Sequence, residues 1–416
     1  MLKKIIIAYV ILLFHFPVSA QEAAKNEPEP ITIGEKYSID SEVLGEERPY
    51  WIYLPESYND TTYTTLHYPV LYLLDGDAHF HSASGVVRHL SGQFQIPEMI
   101  IVALPNTNRT RDLTPTHSMS SPIGDDEASL KDSGGADTFL EFIEDELFPR
   151  IESTYRTQPY RILTGHSFGG LFTLHALLDA PGMFQAYVAI DPSLWWDDQL
   201  LVDKADSMII SGQQLDGSVY ISLANEPDLE MFEETDYPAS IMFEPVQSFA
   251  GTLESAASSV FHPTLEYFEA EDHNSVTFLS FYHGLRYIFD GYNTLSLPDG
   301  KMVEVLEEPS VLIENFEEMS ERLGIHLVPP EGLVQMVALY FIGYFEDADS
   351  ALQVLRYSPS LADHEYRVFN YLGWAYTYTG EADLATNAFE KALELNPENE
   401  YAKTQLEELR DNAEEQ

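Results

Sequence analysis

The chain has 416 residues, with 69 Asp and Glu side chains against 21 Lys and Arg, and it contains no cysteine. A formal net charge of −48 repels nucleic acid and anionic membrane surfaces. We also expect it to slow the approach of a strongly anionic substrate unless local arginines compensate. The lack of cysteine excludes disulfides, thiol chemistry and a lipid-modified cysteine. The length is sufficient for two domains.

The first twenty residues have the pattern of a secretory signal peptide. Lys3 and Lys4 precede an apolar run over residues 5–16, and a Val-Ser-Ala sequence at 18–20 ends it with small residues. The run is short for a bilayer span, although an N-terminal membrane anchor is the alternative interpretation. A polar, flexible lead-in over residues 21–35 follows. We therefore expect a periplasmic or secreted protein without stable membrane insertion after cleavage.

Predicted strands and helices alternate from residue 36 to residue 292. Tyr37–Leu44 and Tyr50–Leu54 predict an antiparallel pair around a turn. Five short apolar runs, typical of strands buried on both faces of a parallel sheet, follow at Val70–Leu74, Met99–Leu104, Arg161–Thr164, Ala186–Ile190 and Val219–Leu223. Helices are predicted at Thr138–Tyr155 and Phe168–Leu178. This alternation predicts a doubly wound α/β domain.

The composition changes at Pro298-Asp299-Gly300, which predicts a linker over residues 293–310. Beyond it, residues 311–412 are predicted to be helical. One segment has the spacing of the 34-residue tetratricopeptide repeat, at Leu372, Gly373, Tyr376, Ala385, Phe389, Ala392 and Pro397. A weaker copy precedes it, at Ala348, Leu352, Leu355 and Pro359. We expect a small helical domain that can recruit a protein partner.

The sharpest chemical signal is the segment Gly165–Gly170, which reads Gly-His-Ser-Phe-Gly-Gly between a predicted strand and a predicted helix. In that context Gly-x-Ser-x-Gly places a nucleophilic serine on a tight turn beside a helix N-terminus. We predict that Ser167 is the nucleophile. The backbone N–H of Phe168 is predicted to donate to the oxyanion, together with that of Gly76 or Asp77.

A serine nucleophile needs a base. In α/β folds that place the serine on such a strand-to-helix turn, the histidine base comes late in the chain. His273 follows an apolar strand predicted at Leu265–Phe268 and is the predicted base. His262 precedes that strand, and His283 lies within a predicted helix. For the acid that orients the base we favour Glu226, after the penultimate strand. The alternatives are a Ser–His pair without an acid, or one of three other acids: Asp228, Glu230 and Asp191.

Several other side chains are predicted to contact substrate. Arg109 and Arg111 are cations that could bind a carboxylate or phenolate, and an ion pair between Arg111 and the following aspartate is the alternative. His166 is predicted to pack or to contact substrate. Trp195 and Trp196 are predicted either to stack on an aromatic acyl group or to pack in the core. The sequence contains no metal-binding or nucleotide-binding motif, so we expect no cofactor.

Five segments carry a family resemblance: Leu73–Gly76, Arg109–Pro115, Gly165–Gly170, Pro192–Trp196 and Asp272–Val276. Together they resemble the putative esterase family, which includes the enterochelin (siderophore) esterases, S-formylglutathione hydrolase and the mycolyltransferases. The resemblance covers roughly residues 35–292 and is specific for the family rather than for a substrate. It implies an α/β-hydrolase fold and a Ser–His site at Ser167 and His273.

By this resemblance the expected substrate is a small ester, either a siderophore trilactone or an aromatic ester. Thioester hydrolysis with the same residues is the alternative enzymatic function. A non-catalytic scaffold that acts through its helical repeats is the alternative from another class.

Overall fold

The computed structural model describes residues 30–60, 63, 66–121, 127–225, 240–292, 304–305 and 307–414. The expected signal peptide lies outside these residues. No helix within them is long and apolar enough to cross a membrane. The chain divides into two compact units. The sheet unit comprises Ile33–Thr294 and Asn315–Leu327, and the helical unit comprises Met1–Thr32, Leu295–Glu314 and Val328–Gln416.

The sheet unit is built on an eight-stranded mixed sheet in the order β1-β2-β4-β3-β5-β6-β7-β8. The strands are β1 Glu35–Ser41, β2 Glu46–Tyr53, β3 Tyr68–Leu74, β4 Ile100–Leu104, β5 Thr157–His166, β6 Ala186–Ile190, β7 Gly217–Ala224 and β8 Phe261–Phe268. β1 pairs antiparallel with β2, and β2 pairs antiparallel with β4. The other neighbours are parallel. The predicted α/β-hydrolase-like sheet is therefore confirmed.

The sheet is covered by helices because its central strands are apolar on both faces. Every residue of β3, β4 and β6 is buried, which explains their continuous apolar runs. The helices of this unit are α1 Gly76–Gly92, α2 Arg109–Leu113, α3 Glu127–Leu130, α4 Ala136–Phe142, α5 Phe148–Thr154, α6 Phe168–Asp179, α7 Trp196–Ile210, α8 Ser240–Ser255 and α9 Val276–Ile288. The single helix predicted from Thr138 is interrupted by a π-helical turn at Ile143–Leu147 between α4 and α5.

One strand boundary bears on the choice of the base and differs from the sequence prediction. β8 begins at Phe261, so His262 lies within the strand and not before it. Its first half is half-buried and contains Pro263, as suits an edge strand, and this weakens the apolar pattern from which the strand was predicted.

The helix α10 (Ser310–Leu323) follows the expected linker, which lies mostly outside the described residues. Asn315–Leu327 belongs to the sheet unit, although the sequence placed these residues in the helical domain. The physical reason is local: Asn315 Nδ2 donates to the carbonyl of Gly291 at 3.0 Å, and the Phe316 ring packs edge-on against Tyr292.

The rest of the helical unit is a series of short helices. They are α11 Glu331–Tyr340, α12 Ala348–Leu355, α13 Pro359–Ala362, α14 Glu365–Thr379, α15 Ala382–Leu395 and α16 Glu400–Glu414. α14 and α15 form a tight hairpin because Gly373 lies against Phe389, where a Cβ atom would stand 2.6 Å from the ring. Gly380 ends α14 with φ of 88°. Phe389 packs in a small core with Ala402 and Leu406.

Candidate active site

The predicted nucleophile and base lie at one edge of the sheet, where its parallel strands end. Ser167 directly follows β5, and His273 lies between β8 and α9. Asp191 directly follows β6, which lies between β5 and β7 in the sheet. In open α/β sheets this carboxyl edge is where ligands bind, near the point at which the strand order reverses. Here the order reverses between β3 and β5.

The serine turn has the strained backbone that a nucleophile elbow requires. Ser167 has φ of 61° and ψ of −115° and stands at the N-terminus of α6. A Cβ atom on Gly165 would lie 2.5 Å from the main chain of Gly169, and one on Gly170 would lie 2.9 Å from Pro192 Cα. Because only glycine fits at these positions, the glycines of the motif are needed for the turn itself.

The end of β6 and the loop that follows it are hydrogen-bonded to the turn at Ser167. Ser167 N donates to the carbonyl of Ile190 at 3.0 Å, and Ser193 N donates to the carbonyl of Ser167 at 3.2 Å. The hydroxyls of Ser167 and Ser193 are also 3.2 Å apart. Ser193 is a site residue that the sequence analysis quoted within a motif but did not single out. Its signal was the Pro192–Trp196 segment, which gives no indication of which side chain faces the nucleophile.

The acid beside the predicted base is Asp191. His273 Nδ1 lies 2.5 Å from Asp191 Oδ2, and the other carboxylate oxygen accepts a hydrogen bond from Ala224 N at 3.0 Å. Asp191 is completely buried. A carboxylate that accepts the Nδ1 hydrogen leaves Nε2 as the basic nitrogen, which is the tautomer a general base needs.

This geometry corrects the choice of acid. Glu226, the favoured acid, lies outside the described residues, as do Asp228 and Glu230. The acid in contact with His273 comes from the end of β6, one strand earlier than expected. The rival histidine His283 is engaged elsewhere, with Nδ1 at 2.9 Å from Glu266 Oε1.

The segment after β3 lies against the first turn of α6, as the predicted oxyanion hole requires. Asp75 has φ of 52°, and Gly76 begins α1. A Cβ atom on Gly169 would stand 3.2 Å from Asp75 Oδ2, so the two turns are adjacent. Phe168 is the first residue of α6, where backbone N–H groups have no acceptor within the helix. The donors at Phe168 and at Gly76 or Asp77 stay predictions.

Arg109 joins these two turns. Its Nε donates to Asp75 Oδ1 at 2.6 Å, and its Nη2 donates to Asp75 Oδ2 at 3.0 Å and to the carbonyl of His166 at 3.1 Å. Burial alone would raise the pKa of Asp75, but the hydrogen bonds and charge of Arg109 hold it below its usual value. The expected substrate-binding cation is thus already paired with a buried carboxylate.

Arg111 forms the ion pairs that the alternative interpretation predicted. Its Nε donates to Asp112 Oδ1 at 2.7 Å, and its Nη2 donates to Glu46 Oε1 at 2.6 Å. The hydrogen bond from Arg111 lowers the pKa of Glu46 to about 2. Because both of its acidic neighbours lie within the fold, Arg111 acts in the structure of the α2 segment, and the prediction that it binds substrate is not supported by its contacts.

The two tryptophans belong to the core, so the prediction that they stack on an acyl group is wrong. Trp195 is 4% exposed and Trp196 is 1% exposed. Both rings pack against Phe168, with centroid distances of 5.8 and 5.2 Å. Trp196 Nε1 also donates to Thr116 Oγ1 at 3.2 Å. The pair therefore supports the first turn of α6 from inside the fold.

Comparison with known proteins indicates an esterase family. Residues 41–234 match the family model described as putative esterase. The ferri-bacillibactin esterase BesA of Bacillus subtilis is 34% identical over 43% of this chain and 65% of its own length. The siderophore triacetylfusarinine C esterase of Aspergillus fumigatus is 30% identical over 44% of this chain and 63% of its own length. Both matches span less than two thirds of these relatives.

A solved structure extends the likeness. The crystal structure of an IroE-like serine hydrolase from Shewanella oneidensis is 30% identical, with a TM-score of 0.63, and the match covers 78% of this chain and 98% of that one. This chain belongs to the putative esterase family. Within this esterase-family protein, the matched family region contains Ser167 and Asp191, whereas His273 lies beyond its end.

Proposed function

We propose that the protein is a serine esterase in which Ser167 attacks the carbonyl carbon of a carboxylic ester. The observation that carries the proposal is the bond between buried Asp191 and His273 at the same sheet edge as a strained Ser167. Such an arrangement supplies a nucleophile, a base whose Nε2 is the basic nitrogen and an acid that fixes the base.

In the proposed reaction His273 Nε2 accepts the proton of Ser167 Oγ as that oxygen bonds to the ester carbon. The carbonyl oxygen becomes an oxyanion beside the N-terminus of α6, where backbone N–H groups stabilise it. Collapse of the intermediate breaks the bond to the alcohol, which leaves with the proton from His273. Water then attacks the acyl-enzyme as His273 takes its proton, and His273 gives that proton to Ser167 Oγ as the acid leaves.

The substrate class we propose is an ester of the siderophore type, with aromatic esters as the wider group. The support is that the matched relatives are named as esterases of siderophores, a ferri-bacillibactin and a triacetylfusarinine C. The geometry supports the proposed catalytic residues, whereas the proposed substrate class rests on similarity to these relatives.

We also propose that the first twenty residues are a signal peptide that directs export of the protein. A separate proposal is that α14 and α15 form a tetratricopeptide-like hairpin. The support for the hairpin is the close packing of Gly373 on Phe389, at the positions where the repeat pattern pairs a small residue with a large one. Fractionation of cells followed by N-terminal sequencing of the protein from each fraction tests export. Protein found only in the cytoplasmic fraction and beginning with Met1 would contradict it.

The enzymatic proposal is tested by assaying the protein on a panel of soluble esters, including a siderophore trilactone and aryl esters. We expect turnover of at least one ester, and we expect Ser167→Ala to reduce it by about 10⁴-fold or more while circular dichroism is unchanged. Hydrolysis that persists in folded Ser167→Ala would show that another group is the nucleophile.

A further inference from the structure

We propose that His166 is a positioning residue, which holds His273 in place by a hydrogen bond from its side chain to the main-chain carbonyl of His273. This inference rests on the proposed function, because it concerns the base of that reaction. His166 Nε2 lies 2.7 Å from the His273 carbonyl oxygen. Since a carbonyl can only accept, Nε2 carries the hydrogen and donates it.

The bond joins the two halves of the reaction centre. His166 is the last residue of β5 and immediately precedes Ser167. His273 belongs to a short segment between β8 and α9, about 107 residues further along the chain. One side chain therefore connects the residue next to the nucleophile with the residue that carries the base.

The main chain at His166 is itself fixed, so it can serve as an anchor. Its carbonyl accepts a hydrogen bond from Arg109, which is paired with Asp75. The His166 side chain is only 9% exposed. A side chain this buried has little surface to offer a substrate, and its contacts are with protein groups instead.

The segment that carries His273 needs such an anchor because much of it is exposed. Asp191 fixes the imidazole ring through Nδ1, but a ring held at one atom still moves with its main chain. Asn225 N donates to the carbonyl of Glu271 at 2.9 Å, which fixes the segment two residues before His273. The bond from His166 fixes the main chain at His273 itself.

The rings of the two histidines are also in contact, with centroids 4.4 Å apart and planes tilted by 45°. His79 packs edge-on against His166 at 5.9 Å, and Phe281 packs edge-on against His79. These contacts set the plane of the His166 ring, so that Nε2 points at the carbonyl.

His166 is neutral at physiological pH, which suits the role. Burial, together with smaller contributions from the neighbouring His273 and His79, lowers its pKa to about 4. A neutral ring has one N–H, which the carbonyl uses, and it places no positive charge beside a base that must accept a proton.

The test compares three variants of His166 with a matched buried histidine. Gln keeps an N–H donor at the same number of bonds from Cβ as Nε2, Asn keeps a donor one bond too short, and Leu removes it. His175, on α6, is 4% exposed and pairs with Asp137 at 2.8 Å, away from His273. His175→Leu therefore reproduces the loss of a buried histidine without loss of the anchor.

With the ester that the wild-type protein turns over, we expect His166→Leu and His166→Asn to lower kcat by about 10- to 100-fold with KM changed less than about threefold. His166→Gln should recover most of kcat, and His175→Leu should stay within about threefold of wild type. Circular dichroism and thermal unfolding confirm that each variant is folded. If His166→Leu does not fold, the Gln and Asn pair gives the same comparison.

Two results would overturn the inference. Gln and Asn variants that are equally impaired, or equally active, would show that the hydrogen bond is not the cause. A folded His166→Leu with the kcat of His175→Leu would show that no anchor is needed. If the wild-type protein hydrolyses no ester, the proposed function fails first, and this inference falls with it.

Discussion

The carboxyl edge of the sheet unit and the helical unit differ in how their backbones are used. Three non-glycine residues with positive φ stand at the first position after parallel strands: Asp75, Ser167 and Asp191, with φ of 52°, 61° and 41°. In the described part of the helical unit Glu346 is the one such residue, and it ends a π-helical turn. Positive φ at a non-glycine residue costs about 1–3 kcal/mol unless its surroundings enforce it.

The difference shows that the ends of the parallel strands accept local strain, as do Phe94 and the kink at Asp197–Gln199 elsewhere in the sheet unit. At the strand ends each strained residue carries a reacting or supporting group, and hydrogen bonds from Arg109 to Asp75 and from Ala224 to Asp191 hold two of them. The helices α11 to α16 follow ordinary rules of capping and packing, as in the Gly373–Phe389 contact. We infer that the residues of the proposed reaction lie in the sheet unit.

The largest effect that sharpens this comparison is expected at Asp191. Asp191→Asn keeps the size of the side chain but can favour the wrong tautomer of His273, so we expect kcat to fall by about 10³- to 10⁴-fold. Glu226→Gln is the matched control and should keep kcat within about threefold of wild type, because Asp191 already accepts from Nδ1. Steady-state kinetics on the same ester decide between them. A fall in kcat that occurs only in Glu226→Gln would show that Glu226, the acid favoured by the sequence, orients His273.

The choice of acid also shows what the sequence could and could not reveal. Ser167 was predictable because the glycines that make its turn possible are written in the motif. His273 was predictable because it follows a late strand. Asp191 also follows a strand, but its burial and its contact with a residue 82 positions away depend on strand order, which local patterns do not encode. Chain order alone therefore favoured an acid after β7.

The same limit applies to the side chains predicted to bind substrate. Arg109 and Arg111 were recognisable as unusual cations in an acidic chain, and so was the adjacent partner of Arg111, but the partners Asp75 and Glu46 are distant in sequence. Asp75 is 34 residues from Arg109, and Glu46 is 65 residues from Arg111. The tryptophans were recognisable as a motif, although their sequence cannot tell a core position from a rim position. The sheet itself was predictable because buried parallel strands are continuous apolar runs.

Acid should destabilise the sheet unit through its buried histidine. An unfolded His166 binds a proton below its ordinary pKa of 6.5, whereas the folded residue does so only near pH 4, where its lowered pKa lies. Acidification through this window therefore favours unfolding, and the stability present above pH 6.5 is lost towards pH 4. The shift corresponds to roughly 3 kcal/mol. Chemical denaturation at several pH values should show a smaller acid loss in His166→Gln, and an equal loss would assign the effect to other groups.

The negative charge at the carboxyl edge of the sheet should moderately favour neutral over anionic ester substrates. Asp77, Glu269 and Asp272 are exposed acids after strand ends, and both nearby arginines are ion-paired. We expect kcat/KM for an anionic aryl ester to be roughly 3- to 30-fold below that of a neutral ester with the same acyl group. The gap should narrow between 50 and 500 mM salt, because salt screens exposed charges. A gap that widens with salt would exclude this explanation.

The smallest effect is expected from removing most of the helical unit. The cut belongs after Leu327, because Asn315–Leu327 is part of the sheet unit. If the helical unit contributes no chemistry, kcat on a small soluble ester should change by less than about threefold. A chain that ends at residue 305 also loses the contacts of Asn315 and Phe316, so its thermal stability should be lower than that of the chain ending at Leu327. A folded chain ending at Leu327 without activity would break the comparison.

The central claim is that Ser167 is the nucleophile and His273 the base that activates it. The most direct measurement is reaction with a fluorophosphonate probe, followed by mass spectrometry of the labelled peptide. We expect one adduct per chain, on Ser167, and we expect labelling to slow by about 10³-fold or more in His273→Ala because the two residues act as a unit. An adduct on another serine, or labelling that is equally fast in folded His273→Ala, would contradict the account.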